Sequence, residues 1–461
     1  MLFSSNLFLF AFLPVVLVLY YLCPRNFRNV VLLAVSLFFY GWGEPVYLLL
    51  MVGNILINYL SGLWIHRCRA RGKNPAGVLV FAVAANLLIL GYFKYFNFFV
   101  TQLQLLIPAL KGLSVPQIPL PIGISFYIFQ SMSYVIDVYW NNVGVQRNVL
   151  TFGTYVTLFP QLIAGPIVRY RDVAQQMETR RENLSDFSSG ILLFVIGLGK
   201  KVLLANPMGN LWNQLQNQQG LLCAWVGILA FTLQIYFDFS GYSDMARGLG
   251  RMFGFEFLEN FNYPYISASV TEFWRRWHIS LSTWFREYVY IPLGGNRLGK
   301  GRQTVNLLVV WMLTGFWHGA SWNYILWGLY YAVLLILEKN FLLKLLKKLP
   351  GFVGHVYTVF AFLLGWALFY FEDMGALGAF LVRLFTPGSS TAAGMTLVTA
   401  YLPLMAVCCV AATPLAAKLA SARKDSAAMG VLRILAVMIL LLLCTAALAS
   451  QSYNPFIYFR F

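Results

Sequence analysis

Apolar runs long enough to cross a bilayer recur along this chain of 461 residues, and short clusters of Arg and Lys separate them. A hydrocarbon core of about 30 Å takes roughly 20 residues of α-helix, and backbone polar groups inside it must be satisfied within the fold. The pattern therefore specifies an all-α, multi-pass membrane protein. Hydrophobic residues make up 59% and charged residues 11% of the chain, where soluble domains run near 45–50% and about 25%. A soluble enzyme, a disordered chain and a fibrous repeat are excluded. Lys and Arg number 33 against 16 Asp and Glu, a formal charge of +17. Confined to the gaps between apolar runs, that excess fits the positive-inside bias of membrane proteins and not a nucleic-acid footprint.

The basic clusters orient the chain. The first basic residue is Arg25, so no positively charged n-region precedes the run from Leu7 to Leu22, which reads as a retained span with its N-terminus outside. Arg25 and Arg28, then Arg67, Arg69, Arg71 and Lys73, mark the cytoplasmic ends of Val30–Tyr40 and Val46–Ile65. Val78–Val100 crosses outward, and the Pro-punctuated Ile107–Pro121 stays interfacial. Ile122–Phe159 is interrupted near Asn141–Asn148, and Ile191–Leu204 with Leu221–Phe237 goes out and back. Asp238 to Arg302 is too polar to span simply and is placed at the cytoplasmic face. Val305–Trp317, Trp322–Leu337, Val353–Phe371, Leu397–Ala416 and Leu432–Ala449 complete about ten or eleven crossings, with the C-terminus outside. The chain reads as one membrane domain: a motif-bearing core over 1–340, C-terminal helices over 341–450, and an extracytoplasmic aromatic tail over 451–461.

Six cysteines lie scattered in or beside apolar runs, with no spacing for a disulfide framework or a zinc site; no metal is expected. Chemistry concentrates in two places. From Thr271 to Tyr288, Trp274, Arg275, Arg276, Trp277, His278 and Arg286 interleave charge with aromatics between hydrophobic spans. That block fits an interfacial helix, since Trp and Tyr favour headgroup depth. It fits equally a pocket for an anionic, partly apolar ligand, with the arginines on phosphates and Trp274 and Trp277 against a ring. The second place is Thr314–Asn323, where His318 sits at the end of an apolar run beside Gly319, Ala320, Ser321 and Asn323. An imidazole in apolar helix is a functional candidate. Thirteen helical steps from Val305 reach only about 20 Å, which buries His318 beneath the outer surface. His66 and His355 have no comparable surroundings. The intramembrane acids Asp137, Asp238 and Asp244 are expected to pair with arginines.

The runs Trp274–Ser280, Tyr290–Gly295 and Gly315–Gly319 resemble the membrane-bound O-acyltransferase family, in its bacterial alginate O-acetyltransferase branch. Pro121–Tyr127, Pro160–Ile167 and Gln234–Tyr242 are similar as well, and the resemblance covers about residues 1 to 340. It implies a helical funnel with re-entrant segments, a cytoplasmic acyl thioester donor, most simply acetyl-CoA, and an extracytoplasmic polysaccharide acceptor. It places the family's catalytic histidine on His318 and its second histidine on His278, and it implies an extracytoplasmic esterase-like acyltransferase as partner. The localisation implied is the bacterial inner membrane. Ser321 or Asn323 is a candidate donor to the developing oxyanion. In the aromatic tail, Tyr458 anchors at an interface or serves as a covalent acyl relay; related D-alanylation systems carry a similar aromatic motif in a small partner. Two other functions compete: a transporter or flippase without acyl chemistry, and a lipid O-acyltransferase using a long chain.

Overall fold

The computed structural model describes residues 1–112, 114–421, 427–450 and 456–457, and among these every regular element is helical. Two compact units emerge: Met1–Phe194 with Met245–Leu258, and Val195–Asp244 with Glu259–Phe461.

In the first unit the elements are α1 (Phe8–Leu22), α2 (Arg28–Gly41), α3 (Tyr47–Ala70), α4 (Ala76–Leu106), α5 (Ile124–Trp140), α6 (Val149–Thr157) and α7 (Tyr170–Thr179). The break expected near Asn141–Asn148 is real. Asn141, at φ +64°, ends α5, and the Asn148 side chain accepts from the Leu150 N–H to start α6. Polar residues hold the apolar helices together where lipid offers no hydrophobic drive. Asn54 and Asn58 of α3 both donate to Asn86 Oδ1 of α4, at 2.7 and 3.2 Å. At the N-terminus of the next segment, Glu182 receives the Tyr20 hydroxyl at 2.6 Å and Arg28 at 2.8 Å. Burial alone would raise the Glu182 carboxyl, but these two hydrogen bonds outweigh it and hold the group below its ordinary value.

Next come α8 (Leu184–Leu215) and α9 (Leu221–Met252), then α10 (Val270–Arg276), α11 (Ile279–Phe285), α12 (Gly299–His318), α13 (Trp322–Leu337), α14 (Gly351–Tyr370), α15 (Met374–Phe385), α16 (Ala392–Ala411) and α17 (Met429–Ser450). Seven helices among the described residues are long and apolar enough to span: α3, α4, α8, α9, α14, α16 and α17. The larger number of crossings expected from sequence includes α1, α2, α5, α12 and α13, which are shorter or more polar.

Three expectations need correcting. The apolar run of α9 does not stop at Phe237: the helix continues to Met252 with Asp238 and Asp244 inside it. Those two acids pair with lysines, not arginines, Asp238 with Lys201 at 2.7 Å and Asp244 with Lys200 at 2.6 Å. Asp137 does meet an arginine, Arg171, at 3.5 Å. Helix α12 begins at Gly299, six positions before Val305, so its 20 residues reach about 30 Å. The shortness of the run therefore does not bury His318; its neighbours do. Glu182 supplies a test. Its folded-state carboxyl lies below the unfolded value, so the stability it contributes is present above the unfolded range and is lost as pH falls through the folded one. Glu182→Gln should flatten the acid limb of the thermal-stability profile in detergent.

Candidate active site

His278 stands on a corner made by two short helices. The Ser269 hydroxyl accepts from the Glu272 N–H at 3.0 Å, and the buried Glu338 carboxylate accepts from Val270 and Thr271 N–H at 2.7 and 2.8 Å. The orphan donors that open α10 are thus met by side chains. After α10, Trp277 is extended and His278 adopts φ +44°, a left-handed conformation that costs a non-glycine residue free energy and must be held by its surroundings. Asn260 does the holding. Its carbonyl accepts from the Ile279 N–H at 3.0 Å, and its Oδ1 accepts from the Ser280 N–H and hydroxyl at 3.1 and 3.0 Å.

The same Oδ1 lies 3.2 Å from His278 Nδ1. A backbone N–H can only donate, so Ser280 fixes which end of the Asn260 amide faces inward, and the imidazole nitrogen meeting that oxygen is the protonated one. The lone pair of the neutral ring is then on Nε2. Burial pushes the His278 pKa down to about 3, so the ring is neutral at neutral pH.

His318 closes α12, and its position depends on two glycines. A Cβ on Gly315 would collide with the Tyr324 carbonyl oxygen, and one on Gly328 with the Trp311 carbonyl oxygen. Backbone therefore meets backbone where α12 crosses α13. The His318 ring is boxed edge-to-face by Trp317, Trp327 and Phe369, with centroids at 5.0, 5.1 and 5.2 Å. Trp317 also meets His278 edge-to-face at 6.1 Å, so one indole neighbours both imidazoles.

Both histidines line one cavity of about 260 Å³. Of the residues singled out in the sequence, Trp274, Arg275, Trp277, His278, Arg286 and His318 line it. Trp274 packs edge-to-face on Trp311 and Tyr331 at 4.7 and 4.8 Å, so it forms a wall first. Three expected residues are elsewhere. Arg276 is engaged by Glu272 at 2.9 Å and by the Asn262 carbonyl at 3.2 Å. Ser321 and Asn323 are not in the lining, and the Asn323 amide donates to the Phe369 carbonyl at 3.0 Å, tying α13 to α14. Tyr458 lies outside the described residues. Sequence reasoning missed Lys339, Asn260 and Glu338. Lys339 lines the cavity with Arg275 and Arg286; burial, and then the nearby Arg275 charge, lower its pKa. In sequence Lys339 is one lysine of a cluster with Lys344, Lys347 and Lys348, and Asn260 and Glu338 lie far from the histidines. The polar, aromatic stretch from Glu259 to Tyr265 is the one signal for Asn260, but spacing does not match its amide to a ring.

The residues that line the cavity, from Thr271 to Lys339, fall inside the region matched by a known family. The model of the membrane-bound O-acyltransferase family matches residues 143–348. A probable alginate O-acetylase of Pseudomonas putida is 41% identical over 100% of both chains. One from Azotobacter vinelandii is 45% identical over 85% of this chain and 79% of its own. A peptidoglycan O-acetyltransferase of Helicobacter pylori is 35% identical over 74% of this chain and 71% of its own.

Two substitutions test the corner. Asn260→Leu leaves His278 free to adopt the other tautomer, and turnover should fall on the order of tenfold, the scale of one lost hydrogen bond of about 1.4 kcal/mol. Glu338→Ala orphans two buried N–H groups at about 1–3 kcal/mol each, which a drop in the thermal midpoint of the purified protein would register; Glu338→Gln should recover part of it.

Proposed function

The chain belongs to the membrane-bound O-acyltransferase family, and from that premise we propose that it moves an acetyl group from cytoplasmic acetyl-CoA to hydroxyls of an extracytoplasmic polysaccharide of the alginate type. The observation that carries the proposal is the cavity itself: two imidazoles at its wall and the cations Arg275, Arg286 and Lys339 in its lining. Relatives named for alginate and peptidoglycan O-acetylation support a polysaccharide acceptor.

In this reading the coenzyme A phosphates pair with Arg275, Arg286 and Lys339, and the acyl arm runs between aromatic walls toward His318. The attacking hydroxyl gives its proton to the neutral His318 imidazole as its oxygen bonds to the thioester carbonyl carbon. The ester C–O bond forms, the C–S bond breaks, and the proton passes to the departing thiolate, which leaves as free coenzyme A. A thioester is already activated, so positioning and proton removal carry the step. His278, neutral and with its Nε2 lone pair, accepts a hydrogen bond from an N–H of the donor arm and orients it. The first hydroxyl to attack is the Tyr458 phenol; the acetyl ester then passes to the acceptor by a second attack, in which the sugar hydroxyl proton replaces the acyl group on the phenol. An extracytoplasmic esterase-like partner completes delivery. The setting is the inner membrane, with both termini outside.

Purified protein in lipid nanodiscs, given radiolabelled acetyl-CoA and an acceptor, should release free coenzyme A. His318→Ala should reduce release by 10²-fold or more. Lys339→Ala should raise KM for the donor several-fold while kcat holds, since it removes binding common to ground and transition states. Transport of label with the thioester intact would overturn the reading in favour of a transporter.

A further inference from the structure

Lys201 and Asp238 sit near the middle of two spanning helices, buried in unit 2, with Asp238 Oδ1 2.7 Å from the Lys201 ammonium. They meet because α8 and α9 nearly touch: a Cβ on Gly241 would lie 2.7 Å from the Gly197 carbonyl oxygen. Just beyond that crossing, α8 widens into a π-turn over Lys200–Ala205, which turns two consecutive lysines toward acids on α9. A buried ion pair stays favourable only if the remaining lone pairs of its carboxylate are also satisfied. The other oxygen, Asp238 Oδ2, accepts the backbone N–H of Ile457 at 2.7 Å. That donor comes from the far end of the chain. Phe456 beside it stacks on Tyr242, one helical turn along α9, with centroids 4.6 Å apart. Phe456 and Ile457 are 3% and 6% exposed, so these two residues are packed into the protein beside a charged pair and are not an interfacial fringe.

The same stretch of α9 reaches the candidate site. Phe239, three positions before Tyr242 and so on the same helix face, packs edge-to-face on His278 at 4.7 Å. We propose that Lys201, Asp238 and Tyr242 form a seat for the protein's own C-terminal segment, and that they are positioning residues for acyl transfer. Ile457 is pinned through its backbone, which fixes one point of the chain's C-terminal segment beside Asp238. The inference rests on the relay reading only for the step that follows docking. Docking itself requires just the carboxylate, the N–H and the stacked rings.

The test separates the two. Ile457→Pro removes the donated N–H without touching the ion pair; kcat for coenzyme A release should fall at least tenfold with KM for acetyl-CoA unchanged, whereas Ile457→Val should behave as the parent. In a background with the six cysteines replaced, an Ile457→Cys thiol should react with a water-soluble maleimide at least tenfold more slowly than the same thiol in the Tyr242→Ala or Asp238→Ala variant. Tyr242→Ala keeps the measurement valid if removal of Asp238 unfolds the protein. Equal labelling rates with the seat intact and broken overturn the docking proposal. So does an Ile457→Pro variant with parental kcat alongside an inactive Tyr458→Phe. If Tyr458→Phe keeps full activity while the thiol remains protected, docking stands and the relay reading falls.

Discussion

A carboxylate withdrawn from water is tolerated only where protein groups replace its hydration, and that constraint shapes both units. Glu338 is the case on which the site depends. Buried at the end of α13, it receives two N–H groups from the start of α10, and so couples the element that leads into His278 to the hairpin that carries His318. The hairpin's glycine crossing and the His278 corner each specify one imidazole; Glu338 relates one to the other.

The two imidazoles have contrasting surroundings. His278 is held by a polar anchor, with Asn260 choosing its tautomer and burial keeping it neutral. His318 is enclosed by aromatic edges and faces that restrict its rotation. Each device fixes a ring's orientation, by a hydrogen bond at His278 and by packed aromatics at His318. Trp317 packs edge-to-face against both.

Much of this was legible in the sequence, for reasons that differ by element. The helices were visible because lipid demands long apolar runs, and the Asn141–Asn148 break because Asn stops and starts helices by its side chain. The histidines and the Trp–Arg block stood out because such groups are costly among apolar spans. Pair identities were hidden. Asp238 and Asp244 met lysines because a helix crossing and a π-turn, neither readable from spacing, brought Lys201 and Lys200 to them. Arg276 was lost to a local partner, Glu272, four residues before it, which the spacing would have allowed but the phosphate reading set aside. Asn323 stands outside the cavity lining, with its amide tied to α14. Lys339 was overlooked because a cation that orients a span and one that lines a cavity look alike in one dimension.

The glycine contact between α12 and α13 has a mechanical consequence. Side chains that interdigitate can slip by changing rotamer, but main chains pressed together at Gly315 and Gly328 have no such freedom. The hairpin therefore acts as a single beam with His318 at its tip. Breathing of the cavity is left to α10, α11 and the Arg275 and Arg286 side chains, so that a change in its width deforms that wall while the His318 ring stays put.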